Sequence, residues 1–294
     1  MNFSYFMFHP RLIRLFAVAS LLASSAFAVS WETEAHFSAV ADSKFESRSI
    51  RGDGSAVDFG IRAAASHQFG SGPLFRLGIE WQRYDFNAPH RLTVPDKLQS
   101  LALVVGADFQ IGEAWLFRLE ATPGFYHGGT ELSADGFNVP VLFGGSYFVN
   151  ADLQFVAGIE LDVNRKYPVL GAIGVRWKFA PKFVLNAVLP TPRLEYSFSK
   201  SLTGYIGADL RETTYRMDND FARTRRQRKL NNAVVDYTQI RIGAGATWNI
   251  NSTFTLEAES GVVAFHELNY HRAEVGVKSD GYPAYGGISL KAAF

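Results

Sequence analysis

Between Lys97 and Ile111 every second residue from Leu101 onward is apolar: Leu101, Leu103, Val105, Ala107, Phe109 and Ile111 share one parity, with Gly106, Asp108 and Gln110 on the other. Side chains alternate across a strand but recur every three to four residues on a helix, so this stretch reads as a strand with one apolar and one polar face. After the turn Gly112-Glu113, Trp115, Phe117, Leu119 and Ala121 alternate with Arg118, Glu120 and Thr122, completing a hairpin. The same grammar sets Val57, Phe59, Ile61 and Ala63 against Asp58 and Arg62, and Phe75, Leu77, Ile79 and Trp81 against Arg76, Glu80 and Gln82. It returns in Leu153 to Asp162, and in Ile240 to Ile250 with its partner Phe254 to Glu259.

A soluble sandwich also alternates, and three further features point to a membrane barrel instead. Many of the strands run well past the usual five or six residues, long enough to cross a bilayer when tilted. Tight connections (Gly112-Glu113, Asn150 to Asp152, Pro181-Lys182, Asn251-Ser252) alternate with long ones (41–54, 87–96, 128–136, 217–234, 271–281), the expected asymmetry of short periplasmic turns and long extracellular loops. Aromatics cluster at the tight turns: Phe69 and Phe75, Phe109 and Trp115, Tyr147 and Phe155, Trp177 and Phe183, Trp248 and Phe254. Tyr84, Phe125, Tyr126, Tyr215, Tyr237 and Phe265 lie near the loop ends and are expected to form a second girdle at the other membrane interface.

At the N-terminus Arg11 and Arg14 precede an apolar run from Leu15 to Leu22, and Ala26-Phe27-Ala28 offers small residues for cleavage. The run is short of the roughly 20 apolar residues of a membrane-spanning helix. Residues 1–28 therefore read as a cleaved signal peptide and 29–294 as one outer-membrane barrel domain. Without the leader's two arginines the 29 basic residues fall to 27 against 28 acidic ones. A net charge near −1 argues against a nucleic-acid partner. With no cysteine in the chain, disulfides, thiolate metal sites and cysteine nucleophiles are excluded.

Twelve strands are expected between Trp31 and Phe294. Phe183 to Lys200 holds two further short strand patterns around Pro190-Thr191-Pro192, which would make fourteen. In the last of them Ile288, Leu290, Ala292 and Phe294 form an apolar stripe opposite Tyr285, Ser289 and Lys291. A closing strand that ends on an aromatic residue resembles the C-terminal assembly signal of Gram-negative outer-membrane β-barrels. With the leader and the barrel grammar, the whole mature chain resembles an uncharacterised family of exported outer-membrane β-barrel proteins. That resemblance implies an all-β antiparallel transmembrane barrel in the cell outer membrane, delivered by periplasmic chaperones and inserted by the barrel-assembly machinery. It implies no defined substrate.

The polar faces carry both signs: Glu80, Asp108, Glu120, Glu160, Asp162, Asp209, Glu257 and Glu259 against Arg62, Arg76, Arg118, Arg176, Arg193, Arg211 and Arg241. They fit a passive or weakly selective pore for small solutes, and equally a lumen of mutually neutralising ion pairs in a plugged barrel. The longest loop carries Arg223, Arg225, Arg226, Arg228 and Lys229, suited to lipopolysaccharide phosphates, to anions at a pore mouth, or simply to solvent. A catalytic role is not expected: there is no G-x-S-x-G or H-E-x-x-H, Ser260 and His266 are far apart on one strand, and Glu257 with Glu259 reads as a structural pair. His127, His266 and His271 lack metal-ligand spacing, and no cofactor is expected.

Overall fold

The structure of the chain, a computed structural model, describes residues 29–294 except 48–49, 90, 130–132 and 224–227. The expected leader, residues 1–28, lies outside the described residues. Seventeen strand segments make 14 strands, because three strands are interrupted at a proline. In chain order they are β1 (Ser30–Ser47), β2 (Ile50–Gln68), β3 (Leu74–Asn87), β4 (Lys97–Ile111), β5 (Trp115–Ala121 and Gly124–Gly128), β6 (Phe137–Asn138 and Val141–Phe148) and β7 (Leu153–Leu161). There follow β8 (Val169–Ala180), β9 (Phe183–Ala187), β10 (Arg193–Ser197), β11 (Leu202–Met217), β12 (Val234–Asn249), β13 (Phe254–Tyr270) and β14 (Val275–Asp280 and Ala284–Ala293).

Each strand pairs antiparallel with the next, and β14 returns to β1, so the sheet closes on itself. The backbones of Trp31 and Phe294 exchange hydrogen bonds of 3.0 and 2.8 Å at the closure. At each interrupting proline the carbonyl still accepts from the neighbouring strand: Leu103 donates to Pro123, Thr122 to Pro140 and Val263 to Pro283. Pro190 and Pro192 work the same way, accepting from Leu210 and Ala208 at 2.9 Å. Prolines lack a donor, and in the turn between β9 and β10 none is required of them. That hairpin therefore joins the wall on both sides, and the count is 14 rather than 12.

The outer face is an apolar belt: Leu77, Leu103, Ile159, Ile206 and Ile288 are exposed, and Ile173 is 83% exposed. At the turn end it is rimmed by exposed rings, among them Phe69, Trp115, Phe155, Trp177, Trp248 and Phe294. Trp115 stacks on Phe117 and packs against Tyr147. An apolar belt this broad on a closed barrel, with polar side chains turned inward, is the architecture of an outer-membrane β-barrel.

At the loop end the expectation of a second girdle is corrected. Phe125 is exposed, but Tyr84, Tyr126, Tyr215 and Tyr237 are buried inside the barrel. Position along a strand sets depth in the membrane, whereas parity decides the side, and these four tyrosines share the lumenal parity. Two expected loops are also shorter than their sequence suggested. The stretch 41–54 is mostly strand, with a register shift between Val40 and Ser43. The stretch 271–281 is one 3-10 turn followed by the first segment of β14.

The wall is not equally tall all round. β8 pairs with β9 only between Val175 and Ala180, and β11 pairs with β10 only up to Gly207. Above that step no strand of the described residues stands between Val169–Gly174 and Leu210–Met217. The loop from Asp162 to Pro168 bridges it, the backbone N–H of Lys166 donating to Asp236 of β12 at 3.0 Å. Higher still, β11 meets the upper part of β5 directly, as a short parallel pair of Arg216 with His127 and Met217 with Gly128.

Candidate functional site

The lumen is built in tiers. At the loop end it is filled. The loop between β3 and β4 inserts Leu92 and Val94, and the loop between β11 and β12 inserts Phe221, Ala222, Leu230 and Ala233. They pack on lumenal side chains of the tall wall, among them Phe45, Leu98, Met217, Leu268 and Tyr270. Register shifts in β1 and β13 turn Phe45, His266, Leu268 and Tyr270 inward at this height. The rings of Tyr84 and Tyr237 lie 4.6 Å apart, and His266 meets both Phe45 and Tyr237 at 5.2 Å. Tyr270 ties the loop down by donating to the carbonyl of Thr93 at 2.6 Å.

Beneath this plug Asp58 is the hub of a buried charge cluster. Arg241 reaches it at 2.7 Å and Arg211 at 2.9 Å, while Arg211 also holds Asp209 at 2.6 Å. Arg241 is 0% exposed and Asp58 2%, so each charge is compensated by direct contact. Arg241 further donates to Gln239 and Ser38 and lies over the ring of Tyr285. Ser38 gives its proton to Asp58, and His36 faces Asp58 rather than Ser38. Three residue types of a nucleophilic triad are present, but they are wired as a structural lock, not as base and nucleophile.

The turn-end half carries a ladder of pairs along β2 to β5. Arg62 joins Glu80 at 3.0 Å and Glu120 at 2.7 Å, Arg76 joins Glu120 at 3.3 Å and Asp108 at 3.0 Å, and Arg118 joins Asp108 at 2.8 Å. Across the lumen Arg193 pairs with Glu257 at 2.9 Å and lies over Tyr205, whose hydroxyl donates to Glu257 and Glu259. Two cavities open between these groups. One of about 390 Å³ is lined by Glu34, His36, Tyr84, Arg193, Arg211 and Glu257, and one of about 530 Å³ by Glu32, Arg62, Arg76, Arg118, Glu120 and Lys291.

Nearly all the lumenal charges singled out from the sequence thus converge on salt bridges. Asp162 and Glu259 instead accept hydrogen bonds from neutral side chains, Asn138 and Tyr205, and Arg176 is exposed on the face of β8 opposite Ile173, Trp177 and Phe179. Glu160 and Asp162 sit at the top of β7, where Glu160 pairs with Arg165 at 2.7 Å and Asp162 accepts from Asn138 at 2.9 Å. Arg165, buried between Glu160 and Glu212, carries no periodic signal because it lies in a loop. The roles of Ser38 and Tyr205 were equally hidden, since neither residue is charged.

Of the basic loop, Arg223, Arg228 and Lys229 are exposed, and Arg223 lies 3.5 Å from Asp220. Arg225 and Arg226 lie outside the described residues. In β14, Ile288 faces out, Ala292 lies covered beside Phe254, and Phe294 meets Phe254 edge-on; Leu290 shares their parity. Ser260 is exposed on the outside of β13 and His266 is buried in the plug, so the two face opposite ways. Among the described residues no group of three or more His, Asp or Glu is placed to hold a metal ion.

No protein-family model matches the chain, and no curated protein matches it. Among solved structures it is similar to an outer-membrane channel of Pseudomonas putida F1, at 10% identity and a TM-score of 0.49 over 92% of this chain and 97% of that one. It is similar to the Pseudomonas putida toluene transporter TodX at 10% identity and a TM-score of 0.41, over 92% and 90% of the two chains. For the KdgM porin the figures are 8%, 0.37, 89% and 99%.

Proposed function

We propose that the protein is an outer-membrane channel for small solutes whose axial path is closed at the loop end by the aromatic plug. The observation that supports this is the contrast between the two halves of the lumen. The turn-end half is polar, charge-compensated and hollow, with cavities of about 390 and 530 Å³, whereas the loop end is packed with fully buried Leu92, Leu230 and Leu268. A purely structural barrel has no need of the first, and an open pore would lack the second. With both signs paired along the wall, the path favours neither anions nor cations strongly. We place the loops on the cell surface and the turns in the periplasm, with chaperones and the barrel-assembly machinery acting during biogenesis through the stripe that ends in Phe294.

Planar-bilayer recording tests this reading. The intact chain is expected to give little or no steady current, and Leu92→Ser combined with Leu230→Ser to give discrete conductance steps. If both insert and stay silent, the channel reading fails. The second reading, a closed barrel that contacts lipopolysaccharide phosphates, is favoured by exposed Arg223, Arg228 and Lys229. It would then stand, provided that neutralising those three abolishes binding to lipopolysaccharide vesicles.

A further inference from the structure

The outer face of the tall wall changes character within one rung. Leu210, Ile240 and Phe265 are cross-strand neighbours on β11, β12 and β13. Two residues nearer the loops their places are taken by Glu212, Thr238 and Glu267, with Lys278 of β14 beside Glu267. Parity turns this polar row outward, because the residues next along each strand, Arg211, Tyr237, His266 and Val277, point into the barrel. The edge of the lipid belt therefore lies between the two rows.

The loop that bridges the step, 162–168, roofs the polar row. Asp236 has the outward parity too, yet it is only 4% exposed, because the backbone of Lys166 donates to it and His271 lies 3.2 Å away. Between roof and wall is a pocket of about 290 Å³ on the outside of the barrel. Its polar groups are incompletely used. Glu267 meets Lys278, and Glu212 meets Arg165, at 3.6 Å, too long for a hydrogen bond. Thr238 and Asn269 also line the pocket, and their side chains make no hydrogen bond among the described residues. The ring of Tyr167 stands at its rim, 63% exposed.

Carboxylates at Glu212, Asp236 and Glu267 are matched by Lys166, Lys278 and Arg165, so no net charge draws an ion. Open acceptors, open donors and one exposed ring suit a molecule whose hydroxyls both donate and accept. We propose that this pocket binds the sugar head group of a glycolipid in the leaflet at the loop end. Its hydroxyls donate to Glu212 and Glu267 and accept from Asn269 and Lys278, while the ring of Tyr167 covers one face of the sugar. The apolar row directly beneath, Leu210, Ile240 and Phe265, receives the acyl chains, which selects a lipid-linked sugar over a free one. The site lies outside the lumen, so it stands whether or not the barrel conducts.

The test is native mass spectrometry of the full chain extracted from phosphatidylcholine vesicles doped with a galactosyl diacylglycerol. Diacylglycerol supplies the same chains without the sugar, and phosphatidate the same chains with an anion. The galactolipid is expected to be retained as a single copy per barrel and in preference to both. Glu267→Gln, Asn269→Ala and Tyr167→Ala, all at exposed or half-buried positions, are each expected to lower its retention by roughly threefold to tenfold and to leave the unfolding midpoint of the barrel unchanged. Free methyl galactoside is expected to leave the bound lipid in place. Equal retention of diacylglycerol, preference for phosphatidate, displacement by the free sugar, or variants that retain the galactolipid like the native chain would each overturn the assignment.

Discussion

Asp58 on β2 and Arg241 on β14's second neighbour, β12, lie 2.7 Å apart although 183 positions separate them in the chain, and the contact passes over β13, β14 and β1. Removing one partner leaves the other charge buried without compensation. Asp58→Ala is expected to destabilise the barrel by about 3–5 kcal/mol, and Asp58→Leu with Arg241→Leu to recover most of that loss. Urea unfolding in lipid vesicles measures both; a double variant no more stable than the single one contradicts the account.

The plug turns on side chains that no solvent reaches. Leu230→Ala removes a fully buried side chain and is expected to cost about 2–5 kcal/mol in the stability of the plug. Because the plug is loop, not barrel wall, the loss should appear as more frequent channel opening, with the unfolding midpoint of the barrel nearly unchanged.

Selectivity follows from which charges are left unmatched. Glu257 and Glu259 face Arg193 and Tyr205 beside the cavity that Arg211 and Lys291 also line. Replacing both by glutamine removes two negative charges from that wall. In a plug-loosened background the reversal potential under a salt gradient should shift toward anion preference, and a shift toward cations would refute the assignment.

The lipid belt has a depth profile. Arginine in place of Leu103, in the middle of β4 and facing out, should cost about 2–4 kcal/mol, whereas arginine in place of Phe69 at the turn rim should cost about 0–1 kcal/mol. Equal costs at the two sites in vesicle unfolding would place the belt wrongly.

The parallel seam between β5 and β11 can be trapped directly. A chain without cysteine gives an unambiguous background, and a side chain built on Gly128 would point at Met217. Gly128→Cys with Met217→Cys is expected to form a disulfide on mild oxidation, seen as loss of both free thiols in the monomer.

Much of the wall was legible in sequence because a strand's parity is a local property. Leu101 to Ile111 had to face one way and Asp108 the other whatever the strands paired with, and tilted length together with short turns required a closed barrel. The rings at Trp115, Trp177 and Trp248 were placed correctly for the same reason. What sequence alone did not determine depends on where the chain returns. Tyr84 and Tyr237 carry the lumenal parity at the height of an interface, and they become a plug only because two loops fold inward over them. The hairpin around Pro190 counts as wall only because Leu210 and Ala208 arrive to donate to its prolines. Arg165 acquires its partners from β7 and β11, which are contacts no local pattern encodes. Alternation decided which face each residue takes; the closure of the barrel and the descent of its loops decided which of those faces are hollow and which are filled.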